Sequence, residues 1–263
     1  MVERIPPKRQ FFYLLSSLAL ILAGCQTPTP LPEASDFPQA VLVQFTPGLR
    51  ILQPVLETCA AEDPDLALFW EETPKPAIRL DPGVEDLTRL GLALGEPPEG
   101  SYSAALTEAQ ITFITHISNP VEELDSSQLR ALFTGQLRSW SEVGGSELAV
   151  TPWVLTAADE SRQLMEAVIL GEEKVFGKAR LAADPGWMRT GVAADPGAIG
   201  YLPSAWLDGS VKAIPIKPAL AEALRLPLLA LADREPQGAA RRLLICLQTG
   251  SGQALINELF RAP

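Results

Sequence analysis

The sequence predicts an α/β protein built as two lobes. Three observations lead there. Short apolar or β-branched runs alternate with stretches of helical periodicity. Glycine and proline punctuate the joins. About 225 residues remain for folding once a leader-like N-terminus is set aside, more than one core usually needs.

The N-terminus carries Arg4, Lys8 and Arg9, an apolar run from Phe11 to Leu22, and then Leu22-Ala23-Gly24-Cys25. A charged head, an apolar stretch and a small-residue cleavage site read as an export signal over residues 1–24. The apolar run falls short of the roughly 20 residues that a membrane span requires. Leu-Ala-Gly-Cys resembles the lipobox of bacterial lipoproteins, which implies lipidation of Cys25 and a membrane anchor through it. Residues 25–37, with Thr27-Pro28-Thr29-Pro30-Leu31-Pro32, have little to bury and read as an extended Pro/Thr-rich tether.

Val41-Leu42-Val43 reads as a buried strand, Thr46-Pro47-Gly48 as a turn, and Ile51, Leu52, Val55 and Leu56 as one face of a helix. Leu66 to Trp70 and Leu90 to Leu94 are further strands. Ile111 to Ile117 alternates and ends at Asn119-Pro120, where the residue before proline is held extended. Ser126 and Ser127 can cap a helix carrying Leu129, Leu132 and Phe133, with Gly135 placed to end it. Val150 to Leu155 is a strand, and Thr156 opens a helix through Leu164, Met165 and Val168. Ala198 to Leu202 and Val211 to Ile216 are later strands, and Gly238 to Gln248 is a long helix with Leu243, Leu244 and Leu247 on its apolar face.

The formal charge is −11; loss of residues 1–24, with three basic residues and one acidic, leaves −13. So acidic a body excludes a nucleic-acid partner, which demands a basic face, and binding to anionic lipid by charge. Cys59 and Cys246 each lie in an apolar, helix-like stretch; export would allow them to pair, but two buried free thiols are the expectation from sequence. His116 is the single histidine. It sits in an alternating strand, so a Ser-His-Asp or Cys-His site has no second candidate, and no zinc-like ligand spacing exists. The sequence predicts no catalytic residues, no metal and no cofactor.

From Asn119 to Gly135, Asn-Pro-Val-Glu-Glu-Leu-Asp-Ser-Ser-Gln-Leu-Arg-Ala-Leu-Phe-Thr-Gly resembles a stretch of the phosphate-binding-protein family of ABC transporters. Ser139-Trp140-Ser141-Glu142-Val143-Gly144-Gly145 is similar to that family's Trp-x-Glu-x-Gly-Gly turn. Gly197-Ala198-Ile199-Gly200-Tyr201 resembles its Gly-Ala-Ile-Gly-Tyr strand, and Gly238 to Leu255 its closing helices, with Gly252-Gln253-Ala254 at their turn. The likeness implies a two-lobed type 2 periplasmic-binding-protein fold, each lobe a mixed sheet flanked by helices, with a ligand cleft between lobes. Residues 38–115 with 215–263 are expected to form lobe one and residues 116–214 lobe two.

The resemblance places candidate ligand contacts at Thr46, Gly48 and Arg50 on a loop before the first helix, and at Asp159 and Ser161 before a lobe-two helix. It also implies a small-molecule solute and an ABC permease as partners, in an extracytoplasmic, lipid-anchored and monomeric protein. The chain departs from the family where anion donors belong. Leu49 and Ile51 stand where hydroxyls are expected, and Leu155 stands in place of the family's arginine. Thr156-Ala157-Ala158-Asp159 fits a capping box that would satisfy helix amides from within. The stretch Gly91 to Pro98 lacks the acidic residue that the family uses for the phosphate proton. Phosphate or another anion therefore fits the residues poorly, because Asp159 and Glu160 would repel it. A second reading follows from the same departures: a ligand-free binding fold serving as a cell-surface adaptor or sensor subunit.

Overall fold

The computed structural model describes residues 38–77 and 88–261. The expected signal, the tether and Cys25 lie outside the described residues. Contacts divide the chain into Met1–Asp36 and Phe37–Pro263, and the second unit holds every element below.

The first strand, β1 (Gln39–Phe45), pairs in parallel with β2 (Leu66–Glu72) on one side and β3 (Thr88–Leu94) on the other. A 3-10 turn (Pro47–Leu52) leads from β1 into α1 (Gln53–Ala61), with Pro47 and Pro54 at helix starts, where their missing N–H costs nothing. β9 (Arg225–Ala232) lies antiparallel to both β3 and β4 (Tyr102–His116). The cover over these strands is α1, α6 (Gly238–Thr249) and α7 (Ser251–Leu259). Val43, Phe45, Leu49, Leu56, Leu243, Leu247 and Ile256 are among the residues of this first core.

β4 is the joint of the molecule. Its residues Tyr102 to Gln110 pair with β9, and Ile111 to Thr115 pair with β7 (Ala198–Pro203). β7 continues in parallel to β5 (Thr151–Val154) and then β6 (Arg180–Leu181), while β8 (Val211–Ala213) pairs with the end of β4. The described strands thus form one mixed sheet in the order β2-β1-β3-β9-β4-β7-β5-β6. The second core surrounds Phe113, Phe133 and Tyr201, whose ring centroids lie 5.7 to 6.3 Å apart, with Trp140, Leu155 and Met188 beside them. Membership passes from one core to the other between Ala109 and Ile111 on β4 and, apart from Ala205, which joins the first core, returns after Leu224. Helices α2 (Ser126–Thr134), α3 (Glu160–Met165), α4 (Pro185–Ala194) and α5 (Pro218–Ala223) serve the second half. The architecture is the two-lobed α/β arrangement that the sequence predicts.

Several local expectations change. Asp125, not Ser126 or Ser127, caps α2: its carboxylate accepts from the amides of Ser127 and Gln128, and the Gln128 side chain accepts from the Asp125 amide. Gly135 ends that helix at φ 76°, a left-handed value that suits glycine. The helix expected from Thr156 begins at Glu160, because Asp159 takes the capping role; it runs to Met165 and loosens into a π turn over Glu166–Leu170. The strand expected over Ile111 to Ile117 ends at His116 and is the last part of the fifteen-residue β4. Gly252-Gln253-Ala254 is not a turn but lies within α7, and the break falls at Gly250.

The two cysteines are not free. Cys59 on α1 and Cys246 on α6 form a disulfide with Cα atoms 5.9 Å apart. Sequence spacing of 187 residues carries no hint of it; the pairing depends on how α1, α6 and α7 pack over the sheet.

Candidate functional site: the cleft between the two cores

The resemblance pointed to two chain segments, and the fold brings them face to face. Thr46 follows β1, and Gly48 and Arg50 lie in the 3-10 turn after it; Asp159 caps α3, and Ser161 sits in that helix's first turn. A side chain begun at Gly48 would lie 3.5 Å from Asp159 Oδ2 and 4.0 Å from the Pro185 ring. The loop of the first core therefore abuts two helix starts of the second. Trp206, in a short turn after β7, donates its indole N–H to the Gly48 carbonyl at 2.7 Å.

Arg50 and the starts of α3 and α4 at this seam each have an internal carboxylate. Arg50 donates to Glu72 through Nε at 2.6 Å and through Nη2 at 2.8 Å, and lies 3.3 Å from Asp184 Oδ2. Hydrogen bonding to Glu72 is the main reason that its guanidinium holds its proton more firmly than usual. Asp184 caps α4 by accepting from the Trp187 amide at 2.8 Å. Asp159 Oδ1 accepts from the amides of Ser161 at 2.9 Å and Arg162 at 3.3 Å. Burial raises the Asp159 carboxyl, against the lowering effect of those bonds. The sequence reading anticipated a carboxylate at this helix start; Thr156 takes no part in the cap.

Glu160, the next residue, is the most perturbed carboxyl of the cleft. Burial, aided by the neighbouring Asp159 charge, pushes it up to about 7. The Thr46 hydroxyl lies close enough to favour its charged form, yet outside hydrogen-bond geometry, so that buried hydroxyl has no formal partner. Leu155, at the place of the family's arginine, is fully buried in the second core. In its absence Arg162 reaches back to donate to the Leu155 carbonyl at 2.7 Å, and also pairs with Glu166.

Beside this seam lies a cavity of about 540 Å³. Pro74 and Lys75 come from the loop after β2, Leu94 and Glu96 from the end of β3, Glu160 and Leu164 from α3, and Leu226 from β9. Glu96 belongs to the stretch Gly91 to Pro98, which the sequence reading took to lack the family's acidic residue. The sequence reading also missed Lys75, Glu160 as a lining residue and the apolar wall, because no local pattern says that two chain segments so far apart meet. Among the described residues no group of three His, Cys, Asp or Glu side chains could hold a metal ion. No described helix is long and apolar enough to cross a membrane.

Comparison with known proteins gives this cleft its context. Residues 108–234 match the family model described as a PBP superfamily domain. The phosphate-binding protein PstS of Bacillus subtilis (strain 168) is 26% identical over 189 residues, 64% of this chain and 60% of that one. The chain therefore spans about 60% of the length of this curated relative. A phosphate ABC transporter substrate-binding protein of Clostridium perfringens, solved with bound phosphate, superposes with TM-score 0.70 at 18% identity, covering 84% of this chain and 98% of that one. An ABC-type phosphate transport receptor of Vibrio cholerae gives TM-score 0.64 at 20% identity, covering 85% and 100%.

Residues 108–234 thus match a PBP superfamily domain, and the fold over most of the chain is that of two-lobed periplasmic binding proteins. Among known proteins its sequence and fold are similar to those of phosphate-binding proteins.

Proposed function

We propose that this chain is the extracytoplasmic solute receptor of an ABC transporter, anchored through lipidated Cys25, and that it captures a small solute between its lobes and presents it to a permease. The observation that carries the reading is the cavity of about 540 Å³ with walls from both cores. Its size falls in the range of roughly 300–1,000 Å³ typical of small-ligand sites. Contacts across the seam, Trp206 with Gly48 and Arg50 with Asp184, offer a closed state that a ligand could favour over an open one. Lobe one on this reading comprises residues 38–115 and 215–263 and lobe two residues 116–214, with Thr46, Gly48, Arg50, Asp159 and Ser161 lining the seam. The protein acts as a monomer without catalysis.

Thermal unfolding of the Phe37–Pro263 unit against oxyanions, sugars, amino acids and metal ions tests the proposal. A solute at a hundred times its dissociation constant adds about 2.7 kcal/mol and raises the midpoint by a few degrees. Leu164→Trp, which fills the cavity, should abolish that rise. No shift with any solute would sink the receptor reading and favour the ligand-free adaptor.

A further inference from the structure

We infer that the interlobe cavity takes a small organic cation, an ammonium group carried on an apolar body, and not an oxyanion; the inference rests on the reading of this cavity as the solute site. An oxyanion needs several spare donors; the arginines and helix-start amides at the seam are engaged, and the Thr46 hydroxyl, which has no formal partner, lies beside the Glu160 carboxyl. Arg50 is taken by Glu72 and Asp184, the amides of Ser161 and Arg162 by Asp159, the Trp187 amide by Asp184, and Arg162 by Glu166 and the Leu155 carbonyl.

The charges that line the cavity are unequal in effect. Lys75 and Glu96 are exposed, so water screens both. Glu160 is not: it is mostly withdrawn from solvent and has the buried Asp159 as its neighbour. A charge in a dry environment sets the local field more strongly than a hydrated one. An incoming anion would meet two carboxylates there, whereas an ammonium would pair with Glu160 and offset its desolvation. Leu94, Leu164 and Leu226, with Pro74, supply an apolar wall for the rest of the molecule.

Three probes with one tail and different heads separate charge from burial: hexylammonium, 1-hexanol and hexanoate, each titrated calorimetrically into the Phe37–Pro263 unit, with inorganic phosphate alongside. Hexylammonium should bind saturably and about tenfold tighter than hexanol, while hexanoate and phosphate should not bind. Glu160→Gln should bring hexylammonium down to the affinity of hexanol and leave hexanol unchanged. Binding of hexanoate or phosphate as tightly as hexylammonium would overturn the inference, and so would indifference of hexylammonium to Glu160→Gln. If none of the four binds while a sugar or another neutral solute gives a shift that Leu164→Trp removes, the cation inference falls and the receptor reading stands. If nothing binds at all, both fall.

Discussion

The indole N–H of Trp206 reaches the carbonyl oxygen of Gly48 at 2.7 Å, tying a turn that follows β7 to the loop that follows β1. The two residues are 158 positions apart and belong to opposite sides of the cleft. Trp206→Phe keeps an aromatic ring but removes the donor, leaving the Gly48 carbonyl short of a partner in a mostly buried place. A loss of about 1–2 kcal/mol is expected in chemical unfolding. Small-angle scattering should show a larger radius of gyration with unchanged secondary structure, because the seam then holds only through contacts such as Arg50 with Asp184. A variant as stable and as compact as the parent would show that the bond does not govern closure.

Cys59 and Cys246 make a second long-range tie, this time within the first core. Closing so long a loop removes much freedom from the unfolded chain, and a stabilisation of about 2–5 kcal/mol is expected. Replacing both cysteines by alanine, or adding reductant, should lower the unfolding free energy by that amount and the urea midpoint in proportion. Oxidised and reduced protein with the same midpoint would contradict it.

The parts of the fold that sequence could reveal are the local ones. β1, β2, β3, α2, β5, β7 and α6 follow from apolar periodicity and from Gly, Pro and capping residues. β9 was invisible because Arg225 to Ala232 reads as a continuous apolar run that periodicity cannot assign. The disulfide and the cavity were invisible for a deeper reason: each joins residues whose proximity is decided by packing. At the candidate site, sequence placed a carboxylate, Asp159, at the helix start but expected Thr156 to share the cap, and it counted Glu160 as a repelling charge without showing that it is the desolvated one. One residue of register determines which carboxyl caps the helix and which faces the cavity.

The motif glycines have a packing reason, and it can be tested. Trp140 is fully buried and donates its indole N–H to the Gly197 carbonyl at 2.9 Å, so two of the recognisable motifs are in direct contact. A side chain at Gly197 would collide with the backbone carbonyl of Ala149, which the Thr151–Gly197 bond holds in place nearby. Gly197→Ala should therefore cost about 1–3 kcal/mol, the range of overpacked cores. Gly209→Ala is the control, since nothing lies within 4 Å of its added carbon. Equal melting temperatures for the two variants would refute the account.

Glu160 gives the cleft a pH signature of unusual sign. Its carboxyl is raised from 4.5 to about 7 in the folded protein, chiefly by burial and then by the Asp159 charge. Between these two values the folded state binds more protons than the unfolded one. The Glu160 contribution is therefore most favourable below about 4.5 and is lost as pH rises through about 7. Asp63, Asp125, Glu142 and Asp208 run the other way: hydrogen bonds hold them below their usual values, so stability falls as acid protonates them. Stability should then peak in mild acid. Glu160→Gln removes the group that resists ionisation and should raise stability at pH 8 by up to about 3 kcal/mol, with little gain at pH 4.5. Chemical unfolding at the two pH values decides it. The same gain at both would mean that Glu160 destabilises by shape rather than charge, and the desolvated carboxyl of the cleft would lose its role.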